Sequence, residues 1–205
     1  MTQDKKPEKT NLIEKSAKSI FNLPNIITMA RILCVPFFVW SLFAIDASST
    51  ARWISVLIFI IIMISDGVDG AIARKRGLIT NLGKLLDPIA DKALLGGALV
   101  ALAILGEFSW WVTIVILVRE LGITAYRLVV VQREVVAASS GGKLKTILQS
   151  VLIGSLASPL EYFFAPWYVN VESALTALVL LITVYTGVQY LIAAGRARRQ
   201  RINKK

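Results

Sequence analysis

Residues 53–91 read WISVLIFIIIMISDGVDGAIARKRGLITNLGKLLDPIAD. The stretch begins as an apolar run and then carries four aspartates, Asp66, Asp69, Asp87 and Asp91, with the basic segment KRGLITNLGK between the two pairs. Continued as a helix at 3.6 residues per turn, the run places Asp66 and Asp69 ~60° apart on one face, with the small residues Gly70 and Ala73 on the same side. Asp87 and Asp91 lie one helical turn apart. Two carboxylate pairs are thus expected near the same ends of two consecutive helices, and Pro88 is expected to disturb the helix beside Asp87.

Outward from this stretch the chain remains apolar. Of its 205 residues 56% are hydrophobic, too many for an average soluble domain. Six runs can be followed, at roughly 24–44, 53–73, 89–105, 110–131, 147–164 and 174–194. Several reach the ~20 residues that a helix needs to cross ~30 Å of hydrocarbon. The fold expected is an all-α polytopic membrane protein with six transmembrane helices. Residues 1–11 read as a disordered polar tail and 12–22 as an amphipathic interfacial helix, with apolar residues at helical spacing around Lys15 and Lys18. A single six-helix domain would then fill 23–195, and 196–205 would be a basic cytoplasmic tail. The first run is too long for the core of a cleaved signal and is expected to stay as a span.

Charge sets the expected orientation. Lys5, Lys6, Lys9, Lys15 and Lys18 precede the first run, Arg74, Lys75, Arg76 and Lys84 follow the second, Arg133, Lys143 and Lys145 follow the fourth, and the chain ends in RARRQRINKK. The alternate connections hold Asp46, Arg52, Glu107, Glu161 and Glu172, with one basic residue among them. The positive-inside rule therefore puts both termini and the aspartates on the cytoplasmic side of the cell membrane. The net charge of +10 is accounted for by topology and anionic headgroups, without nucleic acid. With no histidine and one cysteine, Cys34, a zinc-histidine site, histidine acid–base catalysis and a disulfide framework are excluded.

Any metal site must therefore be made of oxygen. Four carboxylates gathered near low dielectric repel one another unless cations neutralise them, and oxygen-only ligands favour a hard ion such as Mg²⁺ or Mn²⁺. They suffice for one ion or a pair, and two-metal sites commonly serve displacement at phosphorus. Asp91 could also take a proton from an attacking hydroxyl. Taken singly, Asp66 or Asp69 could simply mark a helix end or pair with a nearby arginine. Four at this spacing, with Gly70, Ala73, Arg74 and Gly83 between them, argue against that.

The pattern D-x2-D-G-x2-A-R-x8-G-x3-D-x3-D is matched at Asp66, Asp69, Gly70, Ala73, Arg74, Gly83, Asp87 and Asp91. In this the chain resembles the CDP-alcohol phosphotransferase family of integral membrane enzymes. The resemblance implies six spans, a cytoplasm-facing site, and attack by the hydroxyl of an acceptor alcohol on a phosphorus of a CDP-linked donor, with CMP leaving. By the same resemblance Asp66, Asp69 and Asp87 bind two metal ions, Asp91 binds metal and acts as base, and Gly70, Ala73, Arg74 and Gly83 line the nucleotide site. A homodimer is implied as well, by the resemblance alone.

The acceptor has to be read elsewhere. Asn25, Thr28 and Arg31 recur every three residues in NLPNIITMARIL and can reach the donor nucleotide, although Asn25 can equally cap a helix and Arg31 snorkel. Arg119 and Glu120 interrupt the fourth run, at ~2.5–3.5 kcal/mol for a charge at mid-membrane, and so should face protein. Arg119 and Arg127 could line an anion pocket, completed by Lys143 and Lys145 of SSGGKLKTILQ, or Arg119 and Glu120 could join a structural bridge and the lysines a solvated loop. These stretches resemble those of the bacterial family members that make phosphatidylglycerophosphate. That implies CDP-diacylglycerol as donor, sn-glycerol 3-phosphate as acceptor, and Arg119, Arg127, Lys143 and Lys145 on the acceptor phosphate. Inositol phosphate, serine or phosphatidylglycerol as acceptor remain rivals. An ion-coupled transporter, the reading from another class, would want charges deep in several spans and repeated halves, and neither is visible.

Overall fold

The computed structural model describes residues 22–76, 80–130, 140–164 and 166–202. The polar tail expected over 1–11 and the interfacial helix expected over 12–22 lie outside them, except Asn22, which is not helical. Over the described residues the chain is helical, without strands: α1 Leu23–Leu42, a 3₁₀ turn Ile45–Ala47, α2 Ser49–Arg76, α3 Asn81–Ile104, α4 Trp110–Val130, α5 Ser140–Ala157, a short α6 Leu160–Phe164 and α7 Trp167–Ile202.

Local chemistry sets the ends of the first helices. Asn22 accepts the backbone N–H of Asn25 at 3.0 Å with Pro24 just inside α1, and Thr80 caps α3 by accepting the N–H of Gly83 at 3.0 Å. α2 continues through Asp66, Asp69, Gly70, Ala73 and Arg74 to Arg76, so the apolar run and the first carboxylate pair share one helix. α3 starts at Asn81, eight residues before its apolar run, and continues through Pro88, carrying Asp87 and Asp91 in its first half.

Elsewhere the helices depart from the apolar runs. The run at 147–164 is divided between α5 and α6 at Ser158 and Pro159, because proline offers no N–H and disfavours helix at the residue before it. Ser158 Oγ donates to the carbonyl of Ser155 at 2.7 Å across that corner. α7 begins at Trp167 and so takes in Glu172, whose carboxylate accepts from Ser155 Oγ at 2.8 Å.

Three helices among the described residues are long and apolar enough to cross a membrane: Leu23–Leu42, Ser49–Ile72 and Trp167–Gly195. α3 and α4 carry more charge, and α5 is apolar only over Leu144–Ala157. Leu33, Phe37 and Trp40 share one face of α1 and are each more than two-thirds exposed, a face suited to lipid.

The core lies where α3 packs against α1, α4 and α5. Phe38 and Leu42 of α1, Phe59 of α2, Leu94, Ala98, Leu99 and Leu102 of α3, Ile116 of α4, Leu152 and Ile153 of α5 and Val179 of α7 are buried together, with the Phe38 and Phe59 rings 5.3 Å apart. Glycines allow close approaches: a Cβ on Gly97 would lie 3.0 Å from Val39 of α1, and one on Gly96 3.3 Å from Leu117 of α4. At the end remote from the aspartates, buried Arg52 pairs with Glu107, lies 3.7 Å from Asp46 and stacks 5.3 Å from the Tyr162 ring. It thereby joins the 3₁₀ turn, the α3–α4 connection and α6.

Candidate active site

One stripe of α1 reaches both neighbouring helices. Asn25, Thr28 and Arg31 are all nearly inaccessible to solvent. Asn25 Oδ1 accepts from the Thr80 hydroxyl at 2.9 Å, beside the start of α3. Gly83 is the reason this fits, since a Cβ there would lie 2.9 Å from Asn25 Oδ1. One turn along, the Thr28 hydroxyl donates to Asp87 Oδ1 at 3.0 Å and also contacts the carbonyl of Pro24 at 3.1 Å. One turn further, Arg31 Nη1 pairs with Asp66 Oδ1.

The spacing of three that suggested a donor-binding face therefore also holds Asp87 of α3 and Asp66 of α2 to α1. The Asp66 side chain is half-exposed, so the pair with Arg31 lies at the rim of the helix packing. Gly70 is on α2 with partial exposure. The side chains of Asp69, Ala73, Arg74, Arg127 and Lys143 lie outside the described ones.

The donor set consists of carboxylate oxygens, which fits Mg²⁺ or Mn²⁺ and does not suit a soft metal. Among the described residues no three acidic or cysteine side chains converge as an ion site, and Asp69 is not among those side chains. Arg31 supplies the charge that balances Asp66, in keeping with carboxylates gathered where uncompensated repulsion would be costly.

The second ionic cluster is centred on Glu120, near the middle of α4. Its carboxylate accepts from Lys92 of α3 at 2.6 Å, from Arg119 at 2.9 Å, and from Lys145 of α5. Arg119 Nη2 donates to the Thr186 hydroxyl of α7 at 2.9 Å, and Gly187 makes room for it, since a Cβ there would lie 3.2 Å from Arg119 Cγ. Arg119 Nε is buried with no hydrogen-bond partner among the described residues. The Lys92 ammonium also lies 3.1 Å from Asp91 Oδ2.

Arg119 and Lys145, expected at an acceptor phosphate, are thus brought together, and the cluster adjoins the last aspartate of the signature. Lys92 is not among the site residues expected from the sequence, in which Glu120 stands only as a charge needing a partner. The signal for Lys92 was an ammonium directly after Asp91 and before the apolar ALLGGALV. Its partners lie on other helices and leave no local periodicity to read.

Residues 21–189 match the sequence profile of a family described as CDP-alcohol phosphatidyltransferase. A protein of Mycobacterium tuberculosis named probable phosphatidylglycerophosphate synthase is 46% identical over 178 residues, covering 86% of this chain and 83% of that protein. Two proteins named CDP-diacylglycerol–glycerol-3-phosphate 3-phosphatidyltransferase are also similar. That of Bacillus subtilis is 41% identical over 67% of this chain and 77% of its own length, and that of Haemophilus influenzae 34% identical over 85% and 94%. The profile match runs from just before α1 far into α7 and takes in the aspartates of α2 and α3 as well as the Glu120 cluster, and on that extent the chain belongs to the CDP-alcohol phosphatidyltransferase family.

Proposed function

We propose that this protein transfers the phosphatidyl group of CDP-diacylglycerol to sn-glycerol 3-phosphate, giving phosphatidylglycerophosphate and CMP in phospholipid synthesis. The observation that carries the reading is Lys92, whose ammonium touches Asp91 on one side and the Glu120 cluster on the other. A phosphate held by the cations there would keep the acceptor's hydroxyl close to the carboxylates. The names of the relatives support the same donor and acceptor.

In this reaction the free hydroxyl oxygen of the acceptor attacks the phosphorus that bears the diacylglycerol. A new P–O bond forms, the P–O bond on the cytidine side breaks, and CMP takes the electron pair. Asp91 accepts the hydroxyl proton. Arg119 and Lys145, with Arg127 and Lys143, bind the acceptor phosphate, and Gly70, Ala73, Arg74 and Gly83 admit the nucleotide, with Asn25, Thr28 and Arg31 beside it. Asp66, Asp69, Asp87 and Asp91 would hold a pair of Mg²⁺ or Mn²⁺ ions, which would supply neutralisation of the charge that develops as CMP departs.

The protein is further read as a six-span homodimer of the cell membrane with both termini and the active site cytoplasmic. The 24-residue α3 is about 36 Å long at 1.5 Å per residue, enough to cross, and the basic residues gather on one side. CMP release by purified protein, measured with CDP-diacylglycerol, a divalent cation and each acceptor in turn, tests the function. Glycerol 3-phosphate is expected to support turnover. Turnover with inositol phosphate but not with glycerol 3-phosphate would sink the acceptor assignment.

A further inference from the structure

Glu120 is 6% exposed, and its carboxylate gathers cations from three helices: Lys92 of α3, Arg119 of α4 and Lys145 of α5. Arg119 is anchored again on Thr186 of α7. Three long, flexible, like-charged side chains repel one another and would diverge toward water without a shared anion. With Glu120 among them, they still carry two positive charges beyond its single negative one, a balance suited to a phosphate monoester. A carboxylate would itself repel that phosphate, so direct contact with substrate is not the role its position favours.

We propose that Glu120 is a positioning residue for the acceptor: it holds the ends of Lys92, Arg119 and Lys145 together as one phosphate-binding group, and through Lys92 sets where that group stands relative to Asp91. This rests on the proposed reading that the acceptor is phosphorylated. Lys92 is the geometric link, because its ammonium lies 2.6 Å from Glu120 and 3.1 Å from Asp91. Loss of the carboxylate's charge should therefore loosen the acceptor site and leave the nucleotide site, built on α1, α2 and the first turn of α3 at Gly83, largely as it was.

The test is steady-state kinetics of purified wild type, Glu120→Gln and Glu120→Asp, with melting temperatures measured alongside. Glu120→Gln is expected to raise KM for glycerol 3-phosphate by about tenfold or more, a factor equivalent to ~1.4 kcal/mol, while KM for CDP-diacylglycerol stays within about twofold. Glu120→Asp keeps the charge on a shorter stem and should restore part of the acceptor affinity. A purely structural role would lower the melting temperature and the active fraction but leave the acceptor KM unchanged, which overturns the proposal. A lowered acceptor KM overturns it too, since Glu120 would then merely compete with phosphate. Should Glu120→Gln fail to fold, Glu120→Asp decides: a severalfold rise in acceptor KM supports the proposal and a wild-type value defeats it. Wild type that releases no CMP with any phosphorylated alcohol marks failure of the acceptor reading instead.

Discussion

Two side chains touching the signature make separable predictions at the scale of single residues. Asp91 is read as the base, and Asp91→Asn keeps the size of the side chain while removing its proton affinity. CMP release should fall by about two to four orders of magnitude with the melting temperature little changed. Full activity in that variant would remove the base assignment. Thr28 acts one contact further out, through its hydrogen bond to Asp87 Oδ1. Thr28→Val retains the shape and deletes the donor, so the divalent cation concentration for half-maximal rate should rise about 10–100-fold, the usual consequence of losing a group that orients a ligand. A metal titration of the rate checks this. The relation between Thr28 and Asp87 could not be read along the chain, since they are 59 residues apart and meet only because α1 packs on α3.

At the scale of elements, α3 is the helix on which the others depend. It bears Asp87, Asp91 and Lys92 in its first half and Gly96 and Gly97 soon after, where Leu117 of α4 and Val39 of α1 pack onto it. Gly97→Leu would force α1 from α3 at Val39, at ~1–3 kcal/mol for overpacking, and should lower the melting temperature and activity together. Thermal unfolding in detergent, run beside the CMP assay, distinguishes this from a purely local effect. Helix identity was legible from apolar runs. Helix ends were less so: Thr80 caps α3 ahead of its apolar run, and α7 takes in Glu172, whose carboxylate accepts from Ser155 of α5.

Across the whole molecule, two polar clusters close opposite ends of the apolar packing. Arg52 and Asp66 are both on α2, fourteen residues and about 21 Å apart at helical rise. Arg52 ties the remote end together through Glu107 and the Tyr162 ring, far from the carboxylates. Arg52→Met should therefore destabilise the protein, by less than the ~3–5 kcal/mol of a fully buried pair because Glu107 keeps 24% of its side chain exposed, and leave KM for both substrates unchanged in the folded fraction. A changed acceptor KM would show that the two ends are coupled.

By itself the sequence determined the helical class and the family signature, because helical period, run length and motif spacing are properties of neighbouring residues. It also marked Arg119 and Glu120 as charges requiring protein partners. Only the tertiary structure decided which partners: Arg31 with Asp66, Thr28 with Asp87, and Lys92, Arg119 and Lys145 on one carboxylate. Those pairings depend on how α1, α2, α3, α4 and α5 pack, and packing is settled by the shape of the whole core, down to glycines that let helices approach, rather than by any one stretch of chain.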